Sequence, residues 1–294
     1  MLTGLQVAVL GGDARQLEII HKLIEMDAKI YVIGFEQLDN NFTSVEKEKM
    51  ADMDFSLIDA IILPVSGTNV DGEVEAVFSK ETVKITEEML LQTPEHCVVY
   101  TGISNSYLDR ISNKSDRRLV KLFERDDVAI YNSIPTVEGT IMMAIQHTDI
   151  TIHQSNVIIL GLGRVGMSLA RAFHHLGARV KVGARKSADL ARITEMGLKP
   201  FHIDDLVQEV GDVDICINTI PSLVVTASVI AKMPANTLIL DIASKPGGTD
   251  FRYAEKRGIK ALLAPGLPGI VAPKTAGKIL ANVLTKLLIA EISK

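Results

Sequence analysis

Residues 157–185 read VIILGLGRVGMSLARAFHHLGARVKVGAR. An apolar run, Val157–Leu160, breaks at Gly161-Leu162-Gly163-Arg164-Val165-Gly166. An amphipathic helical stretch and a second apolar run follow. Alone, GxGxxG is a weak signal; between a strand and a helix, with a second strand roughly 20 residues on, it is a dinucleotide-binding fingerprint. Gly161 permits the tight turn, Gly163 lets backbone approach a pyrophosphate, and Gly166 lets helix and strand pack closely. The pyrophosphate is expected on the positive helix N-terminus, with Arg164 and Val165 opening that helix.

The second strand ends at Gly183-Ala184-Arg185-Lys186-Ser187. NAD sites usually place Asp or Glu here, on the ribose 2′-hydroxyl. Two cations and a hydroxyl suit a 2′-phosphate instead, because Arg holds phosphate bidentately. The expected cofactor is therefore NADP. Further on, Asn218 and Thr219 end a strand where the nicotinamide side usually lies, and Pro221 closes that turn.

The same 29-residue pattern occurs 150 positions earlier, without gaps, as VAVLGGDARQLEIIHKLIEMDAKIYVIGF over 7–35. Gly11 matches Gly161, but Asp13 stands for Gly163 and Gln16 for Gly166. A carboxylate at the close-approach position repels a pyrophosphate. The first half thus keeps the fold signature without the dinucleotide chemistry, and is expected to be the substrate or catalytic domain.

Apolar runs at 6–10, 29–33, 60–64, 97–100, 128–131, 156–160, 179–183, 213–217, 237–241 and 260–263 predict strands, most of them separated by helix-length segments. Continuously apolar strands of this kind form parallel sheets covered on both faces. The fold class is α/β: two doubly wound Rossmann-like domains, consistent with 294 residues at roughly 100–200 per domain. The expected division is 1–135, a bridging helix over 136–151 with Pro135 and Thr136 at its start, and 152–273. An amphipathic helix over 274–294 is expected to return to the first domain.

Hydrophobic residues make up 47% and charged residues 23%, which excludes disordered and collagen-like classes. A net charge of −5 argues against nucleic-acid binding. No run approaches the ~20 apolar residues of a membrane helix, and no basic leader precedes the first strand, so a cytosolic protein is expected. Cys97 and Cys216 each sit in an apolar run and read as buried thiols. Nothing has metal-ligand spacing, so no metal is expected.

Parallel sheets present ligands at the carboxyl ends of their strands. In the first half those loops carry Gly12, Asp13 and Arg15, then Ser66-Gly67-Thr68, then Ser104 and Asn105, then Ser133 and Thr136. They suit a small anion. Arg15 opposes the dipole of the helix it opens, a placement that makes sense if an anion binds there. Lys245, in DIASKPGGTD, is a second candidate for a substrate carboxylate. That stretch and the turn at 161–166 resemble the cofactor domain of 2-hydroxyacid dehydrogenases. Yet Lys245 stands for their Arg, and no His follows His202 to act as their acid/base.

GGDARQLEII, KLFERDDVAIYNSIPTVEGTI, GLGRVGMSLARAF, VKVGARK and APGLPGIVAPKTAG together resemble the dipicolinate synthase A subunits of spore-forming Bacillus-type bacteria, over essentially the whole chain. The resemblance implies a two-subunit enzyme whose B subunit is flavoprotein-like, acting in the mother-cell cytoplasm. Its product is pyridine-2,6-dicarboxylate, formed from dihydrodipicolinate or its hydroxytetrahydro precursor by an NADP-linked oxidation. A homo-oligomer is also expected. In that chemistry Arg15 and Lys245 would hold carboxylates, and Glu138 would take a proton or orient the nicotinamide amide. Two alternatives stay open: a binding subunit whose catalysis depends on its partner, and a non-catalytic NADP sensor.

Overall fold

A computed structural model describes residues 1–38, 42 and 44–292. The chain forms two compact units: Met1–Ala129 together with the stretch from Pro273, and Ile130–Ala272.

The first unit runs β1 (Gln6–Leu10), α1 (Ala14–Glu25), β2 (Lys29–Ile33), β3 (Val45–Lys47), β4 (Ala60–Ile62), a hairpin of β5 (Glu73–Val74) and β6 (Val83–Lys84), α2 (Glu87–Gln92), β7 (Val98–Thr101), α3 (Ser106–Lys114) and β8 (Arg118–Lys121). Helix α4 (Asp126–His147) carries the chain into the second unit. There follow β9 (Asn156–Leu160), α5 (Arg164–His175), β10 (Arg179–Ala184), α6 (Ser187–Glu195), β11 (Lys199–His202), α7 (Leu206–Glu209), β12 (Ile215–Asn218), α8 (Ala227–Ile230), β13 (Leu238–Asp241), α9 (Phe251–Arg257), β14 (Lys260–Leu263) and α10 (Leu267–Val271). The last helix, α11 (Pro273–Ile292), belongs to the first unit.

The sheet orders are β3-β2-β1-β4-β7-β8 and β11-β10-β9-β12-β13-β14, all parallel. Omitting the hairpin, both are the doubly wound order 3-2-1-4-5-6. The 150-residue repeat in sequence is thus a repeat of topology. In each half the strand before the glycine turn lies at the centre of its sheet and is almost wholly buried: Val7 to Leu10 and Val157 to Leu160 are 0–1% exposed.

Two expectations change, and one element was not foreseen. Residues 128–131, read as a strand, open α4, and the edge strand is Arg118–Lys121 instead. A short apolar run fits either period. Here Asp126 and Asp127 fill the first helical turn, where the dipole favours anions. The helix placed at 136–151 therefore starts ten residues earlier and ends at His147, with Pro135 inside it. Pro135 has no N–H to give Tyr131 O. Thr136 lies inside the helix, not at its start, and its Oγ1 donates to Asn132 O at 2.7 Å. The segment 73–84, unmarked in the sequence, is a small antiparallel hairpin.

Helix α11 lies along α1. Leu280, Val283, Leu284 and Leu288 are buried in the same core as Ile19, Ile20, Leu23 and the strand residues Val7 and Val9. At roughly 1.5–3 kcal/mol for each large apolar side chain, that face binds the helix firmly. Gly277 permits the approach, since a Cβ there would stand 2.6 Å from Arg15 O. Residues 293–294 of the expected helix lie outside the described residues.

Candidate functional site

The turn after β9 is built as its glycines require. Gly161 has φ +97°, and its N–H donates to Gly183 O at 2.9 Å. A Cβ on Gly166 would meet Gly161 O at 2.1 Å, so only glycine lets α5 start this close to the strand. Gly163 differs. It caps α5 at φ −75°, supplies no side-chain bond, and would find nothing within 4 Å of a Cβ. No constraint of the fold demands glycine at 163. What the glycine leaves is an exposed, uncapped helix N-terminus with no acidic residue in its first turn. Such an end takes an anion directly, so the turn fits a dinucleotide pyrophosphate.

Arg185, Lys186 and Ser187 follow β10, and all three are exposed. Lys186 is the N-cap residue of α6 and makes no side-chain cap bond. At the end of β12, Asn218 is 0% exposed and folded on its own turn. Its Nδ2 donates to Ile220 O, and its Oδ1 accepts from Ile220 N, both at 3.0 Å. The Thr219 hydroxyl donates to Leu160 O at 2.7 Å and packs under Gly161. Both residues shape the rim of the turn, and Pro221 stands exposed on it.

Lys245 is exposed on the loop after β13, at a cis peptide to Pro246. That loop hangs on Asp241, which sequence reading missed. Its buried carboxylate accepts from Gly248 N at 2.7 Å, Thr249 Oγ1 at 2.6 Å and Ala243 N at 3.2 Å. The sequence signal was there: a carboxylate closing an otherwise apolar strand, ahead of a glycine pair. Burial pushes the Cys216 thiol up to about 12, with Asp241 adding to it, and burial pushes Cys97 up to about 11. Neither thiol is a nucleophile at neutral pH.

The corresponding turn of the first unit is closed from two sides. Asp13 caps α1, accepting Arg15 N at 2.9 Å in a capping box with Gln16. It also binds the Arg15 guanidinium at 2.6 Å through Nη2 and 3.0 Å through Nε. Half-burial raises the Asp13 carboxyl, but the Arg15 side chain and backbone outweigh it and hold it below the usual range. The anion that Arg15 calls for is thus supplied by the chain itself. From the other side, the segment that follows β5, inside the connection of the hairpin, reaches over the glycines. Gly12 N donates to Glu75 O at 2.6 Å, and Val77 N donates to Gly12 O at 3.1 Å. Sequence reasoning gave no sign of this cover.

Other proposed substrate groups are engaged in structure-building bonds. Ser104 Oγ donates to Asp109 at 2.8 Å. Asn105 caps α3 through Oδ1 and ties down Thr68 O through Nδ2, at 2.5 Å. Ser133 and Thr136 fall inside α4, where Ser133 Oγ bonds Ile130 O and Ser168 Oγ. Glu138 is exposed in mid-helix, away from either end of α4. Among the described residues no group of three His, Cys, Asp or Glu could hold a metal, and no helix is long and apolar enough to cross a membrane.

Comparison with known proteins gives a consistent set of matches. Residues 6–123 match the family described as the N-terminal domain of the dipicolinate synthase A subunit, and 129–293 match alanine dehydrogenase/PNT, C-terminal domain. The chain is 66% identical over 99% of its length to the dipicolinate synthase A subunit of Bacillus subtilis (strain 168), of which 98% is covered. It is 67% identical to the crystal structure of the dipicolinate synthase A subunit from Bacillus halodurans. That likeness has a TM-score of 0.96 and covers 98% of this chain and 99% of that one. A transhydrogenase from Sinorhizobium meliloti, at 14% identity and a TM-score of 0.68 over 97% and 94%, shares the fold alone.

Proposed function

We propose, because the chain belongs to the family of dipicolinate synthase A subunits, that it carries out the NADP-linked oxidation of dihydrodipicolinate, or of its hydroxytetrahydro precursor, to pyridine-2,6-dicarboxylate. The observation that carries the redox part is the uncapped α5 N-terminus at Gly163, a glycine that packing does not require. The first-turn N–H groups of α5 hold the pyrophosphate, and Arg185 with Lys186 holds a 2′-phosphate. When bound, the nicotinamide supplies the hydride acceptor. The alanine dehydrogenase/PNT match supports an oxidoreductase. That the relatives are named as one subunit of a synthase supports a partner chain, here read as flavoprotein-like.

The substrate is a dianion, and its oxidation removes one hydride and one proton. Aromatisation drives the step, so the protein's task is orientation and charge. Arg15 and Lys245 are the candidates for the substrate carboxylates. Arg15 is held by Asp13, so a substrate carboxylate shares or displaces that partner and finds the guanidinium already oriented.

The test uses the purified chain with freshly generated dihydrodipicolinate and NADP⁺, alone and with the second subunit. Reduction of NADP⁺ with matching dipicolinate formation is expected, and its absence in both mixtures overturns the reading. Reduction only with the second subunit present would assign this chain a partner-dependent role. In the active mixture Arg15→Ala should raise KM about 10- to 100-fold, the effect of about 1.5–3 kcal/mol from one charge-assisted bond, and leave NADP affinity unchanged. An unchanged KM removes Arg15 from the substrate site.

A further inference from the structure

At the amino end of the first sheet, away from the glycine turn, a cavity of about 1310 Å³ opens where β4, β7 and β8 begin. All of its lining belongs to the first unit. We infer that it binds a small uncharged molecule with an apolar body and a carbonyl-type oxygen.

The walls come from both faces of the sheet. Leu288, Glu291 and Ile292 of α11 line the cavity, and so does Ser112 of α3. Val98 and Tyr100 share a core with Leu288, whereas the alternate residue Val99 shares one with Leu108 and Ile111 of α3. The cavity therefore passes around β8, the edge strand, which pairs with β7 alone among the described strands. Leu5, Ala60, Val98, Leu288 and Ile292 make its surface largely apolar.

Two polar groups in this lining are unspent. Tyr100 is 0% exposed and Ser112 is 2% exposed, and the hydroxyl of each has no hydrogen-bond partner among the described residues. Leaving a buried hydroxyl unpaired costs free energy that an oxygen of a bound molecule recovers. Burial pushes the Tyr100 hydroxyl up to about 12, so it keeps its proton and donates. The bound molecule must then offer an acceptor.

The charges, by contrast, are spent. Arg118 stands beside the Tyr100 hydroxyl and pairs with Glu291. Lys121 pairs with Asp109 at 3.0 Å, and His96 Nε2 meets Asp59 at 2.7 Å. Arg117 donates to Thr93 O at 2.6 Å and to Ser115 O at 2.7 Å. Those residues cap the C-termini of α2 and α3, where the carbonyl dipoles offset a cation. Five carboxylates line the cavity against three permanent cations. An anion is therefore repelled, which sets this cavity apart from a site for a dicarboxylate. Hydrogen bonding to a neutral molecule against an apolar wall remains, the usual make-up of a small-molecule site. Because α11 forms one wall, a bound molecule ties the last turn of that helix to the sheet edge and stabilises the first unit by mass action.

The test uses the full chain with benzamide, an aromatic body carrying an amide carbonyl, and with benzoate as its anionic counterpart. Calorimetry should show saturable benzamide binding at about 1–10 mM, as for a fragment of that size. Benzoate should bind at least about 5-fold more weakly, since like charges face it. Tyr100→Phe keeps the ring and the cavity. Its affinity for benzamide should fall about 2- to 10-fold, the range of one neutral hydrogen bond. Its thermal stability should be unchanged or higher, because an unpartnered hydroxyl has gone. A crystal soaked with benzamide should place the carbonyl oxygen on the Tyr100 hydroxyl. No saturable binding, benzoate binding as well as benzamide, or equal affinity in Tyr100→Phe overturns the site. A clear loss of thermal stability in Tyr100→Phe also overturns it, since the hydroxyl would then be bonded within the fold. NADP takes no part in these measurements, so their outcome is separate from that of the proposed oxidation.

Discussion

Gly163→Asp is expected to abolish NADP binding while leaving the second unit as stable as before, or more so. The position has φ −75° and nothing within 4 Å of a Cβ, so the side chain enters open space. Asp is also among the best N-cap residues and contributes about 0.5–1 kcal/mol where glycine contributes less. The same carboxylate would occupy the anion position and repel a pyrophosphate. Losing two or more charge-assisted bonds of roughly 1.5–3 kcal/mol each predicts a fall in affinity beyond about 100-fold. Titration calorimetry alongside thermal unfolding reads both halves of the expectation. Wild-type affinity in the variant would show that the dinucleotide binds elsewhere. The matching control is Asp13→Ala, which should leave NADP affinity unchanged. Gly12→Asp is a poor control, because Gly12 has φ +114° and a Cβ there would lie 2.3 Å from Gln16 Cδ.

Arg185→Asp is expected to reverse the cofactor preference. Wild-type protein should bind NADP more tightly than NAD, with each bond to the 2′-phosphate worth roughly 1.5–3 kcal/mol. The substitution removes one cation and sets a carboxylate where NAD sites carry one, against the ribose hydroxyl. NADP affinity should drop about 100-fold or more, and NAD affinity should rise. Arg185 is exposed, so the change leaves packing undisturbed. Equal affinities for the two cofactors in the unmodified protein would defeat the assignment of Arg185 and Lys186.

Much of the fold was legible because the central strands are uninterrupted apolar runs. Both glycine turns follow such a run, and the halves that the repeat at 7–35 and 157–185 pointed to have matching sheet orders. The edges were not legible. Arg118–Lys121 has cations at both ends and no apolar run, while Val128–Tyr131 is apolar but helical. Strands of two residues, as in the 73–84 hairpin, are too short to show a period. In the site, residue type and spacing picked out Gly161, Gly163 and Gly166 correctly as a turn, because each glycine acts through its backbone. They could not tell where a polar side chain spends its bonds. Asn105 and Thr219 turned inward to cap and lock their own loops. Asp13 and Arg15, two residues apart, turned towards each other.

The route of the chain has a consequence for the order in which the protein is made. The second unit, Ile130–Ala272, is one unbroken stretch, whereas the first needs both ends of the polypeptide. On the ribosome the amino-terminal unit is synthesised first yet lacks its α11 wall until the last twenty or so residues emerge. Until then the apolar side chains of α1 that Leu280, Leu284 and Leu288 will cover stay open to water. The usual order, with the amino-terminal domain finishing first, is therefore inverted here. The half that begins the chain is the last to close, and a nascent chain halted near residue 272 carries a completed second unit beside an unsealed first one.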